Sequence, residues 1–194
     1  MMKIREITDA IERFAPLALQ ESYDNAGLVV GDPEREVSCA LLAVDVTEEV
    51  LAEAEREGCD LVVTHHPIIF HPLRRLNGAD YVQRCVERAV RSGIALYACH
   101  TNLDSAPDGM SWRLAAELGI GALRVLEPAA GKGEGAGFGV VGELPDAVPT
   151  LDYLRGVGRR LGVGALRHSA VVHERVRRVA VCTGCLLYHI SEPT

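Results

Sequence analysis

Residues 38–70 read SCALLAVDVTEEVLAEAEREGCDLVVTHHPIIF, and their pattern decides the fold class. A continuous β-capable run through Val46 leads into a segment with apolar residues at helical spacing, followed by a second short apolar run, DLVVT at 60–64. Thr47 is placed to cap the helix, and Glu48 and Glu49 fall in its first turn, where the positive end of the helix dipole favours carboxylates. Gly58 is placed to end it, because a left-handed residue after the last turn costs glycine little. The unit repeats downstream. GADYVQRCVERAVRSG (78–93) reads as a helix ending at Gly93, IALYACH (94–100) as another strand, and DGMSWRLAAELG (108–119) as a third helix. Strands alternating with helices in this way predict a parallel or mixed sheet with flanking helices, the α/β class.

Upstream, Ile4, Ile7, Ile11 and Phe14 share one helical face over residues 3–14, and Pro16 follows as a stop. SYDNAGLVVGDPE (22–34) is rich in Asn, Gly, Asp and Pro around one apolar piece, so a loop holding a short strand is expected. Downstream of Pro128 the texture changes to PAAGKGEGAGFG, which reads as a connection between lobes. The expected organisation is a two-lobed α/β chain. Residues 1–128 form an α/β lobe, and 129–194 form a partial second α/β lobe. In the second lobe GFGVVGEL (137–144), ALRHSAVV (165–172) and VRRVAVC (176–182) read as strands and PTLDYLRGVGRRLG (149–162) as a helix. This lobe reads as incomplete, with little sequence after its last apolar strand to cover it.

Composition narrows the function classes. The 194 residues are 48% hydrophobic, enough for a real core. Twenty basic residues face 27 acidic ones, and no basic run longer than two residues appears outside the short RVRR at 175–178, so no nucleic-acid footprint is visible. The N-terminal segment lacks an uninterrupted apolar stretch, which predicts neither a signal peptide nor a membrane span and places the protein in the cytoplasm. Six cysteines are scattered through apolar surroundings and read mostly as buried thiols. Only Cys182 and Cys185 are patterned, as CTGC, which suits a redox pair or half a zinc site with His189, with leftover thiols the expected reading. A redox pair needs a helix immediately after it, and LLYHISEPT is short with a proline near its end. GFGVVG at 137–142 fits G-x-G-x-x-G, yet it is β-like with Pro145 just beyond, so no helix N-terminus is there to hold a phosphate.

In open α/β sheets functional side chains gather outside the carboxyl ends of the strands. His65 and His66 follow DLVVT, and CHTNLD places His100 and Asp104 after the next predicted strand. Two strand ends thus deliver imidazole and carboxylate to one edge. These donors suit zinc, manganese, iron and related divalent ions, and a bridging carboxylate suits two metals. Neighbouring side chains on a strand diverge, so the adjacent histidines fit two neighbouring ions better than one. Hydrogen bonding at the top of a sheet is the alternative, and for His71, His168 and His173, each alone, it is the expected reading.

YDNAGLVVGDP (23–33), the 45–70 stretch, YACHTNLDSAPDG (97–109) and GFGVVGEL resemble, in order, successive motifs of the Nif-three-like dinuclear-metal family, whose bacterial members are often labelled GTP cyclohydrolase 1 type 2 homologs. The resemblance runs from about residue 3 to about residue 182. It implies a homohexamer of two-lobed subunits with two divalent metal ions per subunit (zinc, manganese or iron). His65, His66 and Asp104 would be metal ligands, and His100 would sit close by as a proton-transfer candidate. Asp24 and Asn25 match the family's DN-x-GL motif and would shape the wall of the site, unless they simply form an Asx turn. Tyr23 stands where the family usually has tryptophan. The family also supplies a late histidine and glutamate, four residues apart. Here TGCLLYHISEPT (183–194) offers His189 and Glu192, three apart, as in a member whose end is lost or rewritten. The implied activity is metal-dependent hydrolysis of a nucleotide-like small molecule. The alternatives are a metal-binding or metal-delivery ring without catalysis, and a truncated, inactive member.

Overall fold

A computed structural model of the chain describes residues 1–184. It divides into two compact units, Met1–Leu103 and Asp104–Thr194.

The first unit begins with β1 (Met2–Lys3), α1 (Ile4–Phe14), a single 3-10 turn, β2 (Gly27–Val30) and β3 (Glu36–Val37). It continues with β4 (Ala40–Ala43), α2 (Glu48–Glu57), β5 (Leu61–Thr64), α3 (Tyr81–Ser92), β6 (Ala95–Ala98) and the short α4 (Thr101–Ser105), within which the division falls. The four-stranded sheet has the order β2-β6-β5-β4; β4, β5 and β6 run parallel, and β2 closes one edge antiparallel to β6. It is therefore mixed, with the strand-helix-strand repeat supplying its three parallel strands.

Local chemistry explains the two long helices that follow the parallel strands. Thr47 Oγ1 accepts the Val50 N–H at 3.1 Å at the start of α2, and Asp80 Oδ1 accepts the Gln83 N–H at 2.8 Å at the start of α3. Gly58 and Gly93 both adopt φ +67° at the C-termini, a conformation that costs other residues a Cβ clash. The helices bury Leu51, Ala54, Cys85, Val86 and Ala89 with Val62 and Leu96 of the sheet. On the outer surface Arg88 of α3 holds Glu55 of α2 with two bonds, 3.0 and 2.6 Å.

The second unit holds α5 (Met110–Glu117), β7 (Gly121–Pro128), β8 (Gly137–Pro149), α6 (Thr150–Arg160) and β9 (Arg175–Val181). Its sheet is antiparallel, in the order β7-β8-β9, over a core of Ala115, Ile120, Val140, Leu144 and Val181. Two features differ from expectation. The glycine-dense stretch is the loop of the β7–β8 hairpin, pinned by the Ala129 N–H to Ala136 carbonyl bond at 3.0 Å. Strand β7, which carries Arg124 and Glu127, lies ahead of that stretch and in the same unit. ALRHSAVV, expected as a strand, has no regular structure. Strand β8 is already flanked by β7 and β9, so this segment has no ladder to join there, and Val172 is left 87% exposed. Among the described residues no helix is long and apolar enough to cross a membrane.

Candidate metal centre

Strand β5 ends at Thr64, and the chain turns at once. The N–H groups of His65 and His66 both donate to the Val44 carbonyl just beyond β4, at 3.2 and 3.0 Å, while Thr64 Oγ1 donates to the His66 carbonyl at 2.9 Å. Because the pair sits in this turn and not in the strand, the two side chains do not diverge. Their ring centroids are 4.9 Å apart. His100 follows β6, the next strand of the sheet, and its ring lies 5.4 Å from His65 and 5.6 Å from His66. One nitrogen from each of the three imidazoles lies within 4.8 Å of the others, a spacing compatible with one ion or two neighbouring ions.

Each of the three rings is oriented through Nδ1 by an oxygen acceptor. His65 Nδ1 meets the Cys99 carbonyl at 2.9 Å, His66 Nδ1 meets Asp45 Oδ1 at 2.7 Å, and His100 Nδ1 meets Asp24 Oδ1 at 2.7 Å. An acceptor at Nδ1 selects the tautomer with the proton there and makes Nε2 the lone-pair nitrogen, the arrangement metal-binding histidines use. The donor set therefore fits a divalent ion.

Asp24 anchors the His100 side of the cluster. Its side chain is fully buried. It accepts the Thr101 N–H at 3.1 Å and the Thr101 hydroxyl through Oδ2, and the Asn25 N–H at 2.7 Å through Oδ1. Burial pushes its carboxyl upward, but the hydrogen bonds from His100, Thr101 and Asn25 outweigh that and hold it down at about 2. It is therefore a carboxylate at any neutral pH. Asn25 Nδ2 donates to the Ile69 carbonyl at 2.7 Å, tying the DN-x-GL loop to the segment that follows the histidine pair. The motif thus positions the cluster, and the Asp24 to Asn25 contact is one part of that role. Beside the cluster, Phe70 packs edge-on against His100 at 6.2 Å and against Tyr23 at 6.3 Å; both aromatic rings are partly exposed.

Asp104 opens the second unit. It is 4% exposed and accepts from Thr183 Oγ1 at 3.4 Å, with Gly184 packed against its carboxylate. His71 is in ring contact with Phe70. His168 is exposed and meets its own neighbour, the Ser169 carbonyl, at 2.7 Å. His189, Glu192 and Cys185 lie outside the described residues. Asp45 was not singled out from the sequence. Its signal was its place at the carboxyl end of the β4 run, one strand over from the histidine pair.

The fold and the cluster together define a two-unit α/β protein with three convergent imidazoles at the ends of parallel strands. The chain belongs to the Duf34/NIF3 (NGG1p interacting factor 3) family, whose model matches residues 2–186. It is 34% identical over 183 residues to a GTP cyclohydrolase 1 type 2 homolog of Clostridium perfringens, spanning 94% of this chain and 70% of that protein. It is 36% identical over 128 residues to NIF3-like protein 1 of Bos taurus, spanning 66% of this chain and 34% of that one. Among solved structures it matches the Staphylococcus aureus hypothetical protein SA1388 with a TM-score of 0.86 and 25% identity, over 97% of this chain and 74% of that one. It also matches reduced HcgD of Methanocaldococcus jannaschii with a TM-score of 0.69 and 31% identity, over 81% and 60%.

Proposed function

We propose that the protein is a metal-dependent hydrolase of a nucleotide-like small molecule, with two divalent ions per subunit held by His65, His66 and Asp104. The observation that carries this reading is the convergence of three imidazoles whose Nδ1 atoms are all engaged by oxygen acceptors. A surface histidine needs no such support, whereas a ligand needs a set tautomer and a fixed ring. When bound, a divalent ion supplies Lewis acidity and a water acidic enough to ionise near neutral pH.

The chain's own residues do the rest. The Asp45 carboxylate and the Cys99 carbonyl fix the rings of His66 and His65. The buried Asp24 carboxylate orients His100 and stabilises it when it takes up a proton, so His100 is the group that moves protons to and from the substrate. Phe70 and Tyr23 supply an aromatic wall next to it. The name carried by the bacterial relatives supports a nucleotide-like substrate, and GTP is the probe to use first.

The experiment pairs metal content per chain with turnover of GTP in the wild type, His65→Ala, Asp104→Asn and His100→Ala. The expected result is about two ions per chain in the wild type and fewer in His65→Ala and Asp104→Asn. His100→Ala keeps its metal and loses turnover by about 10²- to 10⁴-fold, the usual worth of a positioned acid or base. Metal lost in His100→Ala would make His100 a fourth ligand. Reversible metal binding with no turnover in any variant would leave a metal-delivery protein in place of an enzyme.

A further inference from the structure

At the opposite end of β4 and β5 from the histidine cluster lies a second group of reactive side chains. Cys39 immediately precedes β4 and Cys59 lies two residues before β5, and their Sγ atoms are 3.0 Å apart. The backbone around them is clamped: the Asp60 N–H donates to the Cys39 carbonyl at 2.9 Å, and the Asp60 carboxylate accepts both the N–H and the hydroxyl of Ser38 at 2.8 Å. Arg35 closes the same carboxylate at 3.3 Å. The β4–β5 register pairs Ala40 with Leu61, which sets Asp60 opposite Cys39 and Cys59 one residue earlier, and the Sγ contact shows that the two side chains meet. The thiols need close by only about 1 Å to reach bonding distance.

We infer that Cys39 and Cys59 form a dithiol site that takes a low-molecular-weight disulfide as oxidant and closes an intramolecular Cys39–Cys59 bond. The two thiols differ in access. Cys59 is 6% exposed, and its contact with Cys39 together with burial pushes its thiol up to about 11, while Cys39 is only half-buried. Cys39 therefore reacts first. Its thiolate attacks one sulfur of the oxidant, RSSR, forming a Cys39–SR mixed disulfide and releasing RS⁻, which takes a proton. Cys59, giving up its proton, then attacks Cys39 Sγ and expels the second RS⁻. Two protein thiols lose two electrons, one RSSR becomes two RSH, and both protons leave on the released thiols. The site does not depend on the metal reading, because the histidines leave from the other ends of the same strands.

The test uses the full wild-type chain, equilibrated in glutathione buffers from fully reduced to mostly oxidised, with free thiols then blocked and the protein mapped by trypsin without reduction. Arg56 separates the two cysteines, so they fall in peptides 36–56 and 57–74. The expected result is a 36–56/57–74 pair joined in the majority of molecules under oxidising conditions, absent after dithiothreitol, with a higher Tm in the joined form. Cys59→Ser should stop at the Cys39–glutathione adduct, and Cys39→Ser should form no adduct at Cys59. A stable glutathione adduct on wild-type Cys39, a bond to another cysteine such as Cys182, or unmodified peptides would overturn the inference. Because the wild-type map decides the outcome, a variant that folds poorly does not obscure it.

Discussion

At the scale of the residue, the candidate site is a problem of orientation. An imidazole can present either nitrogen, and what separates a ligand from a decorative histidine is the partner on the other side of the ring. Asp24 shows how much one side chain contributes: its two oxygens hold His100, Thr101 and the Asn25 backbone together. Asp24→Asn is therefore expected to leave the protein folded and its metal bound and to lower turnover by about 10- to 100-fold, the usual cost of removing a carboxylate that orients a site histidine. Turnover of GTP, with metal content measured beside it, checks it. Turnover equal to the wild type's would show that the Thr101 and backbone contacts position His100 without the charge.

At the scale of the element, α2 and α3 do most of the structural work because each follows a parallel strand and seals its core. Replacing Thr47 with alanine removes the acceptor for the Val50 N–H and should cost about 1 kcal/mol, read as a lower urea midpoint at unchanged slope. The tie between the helices makes a pH-dependent prediction. The hydrogen bonds from Arg88 and Ser92 hold the Glu55 carboxyl down at about 2 from its ordinary 4.5. A carboxyl whose folded value is depressed stabilises the protein above its unfolded value and loses that contribution as pH falls through the folded one. Arg88→Gln should therefore be less stable than the wild type above pH 4.5, and the gap should close as pH falls toward 2. Urea midpoints taken across that interval test this; a gap that stays constant would mean that Arg88 acts through packing of its stem and not through Glu55.

At the scale of the whole molecule, the family resemblance implies a homohexameric ring, and we propose that assembly for this chain. Sedimentation of the purified chain is expected to give a species about six times its 20.9 kDa mass. A monomer or dimer at working concentration would remove the ring from the proposal and leave the site to stand on one subunit. Each unit has its own sheet and its own core, so the histidine cluster of the first is built by elements that the second does not supply.

Much of this was legible in the chain because local chemistry and global fold agree in the first unit. Capped helices at 48–57 and 81–92, glycine stops at 58 and 93, and apolar runs at 61–64 and 95–98 each specify their element with few neighbours, and strand ends are where an α/β sheet collects polar side chains. The second unit was less legible, since an antiparallel ladder depends on which partner is free. ALRHSAVV has strand-like residues and joins no ladder, since β8 is already flanked by β7 and β9, while GALRVLEP has charged residues and pairs along β8. Only the tertiary structure decided that adjacent histidines would converge, because the turn on the Val44 carbonyl ends the strand's alternation before them. It alone also brought Asp45 to His66 and Asp24 to His100, pairs 21 and 76 residues apart, and Cys39 to Cys59 across the other end of the sheet. Hydrogen-bond partners at such separations are set by strand order and register, which local propensity does not encode.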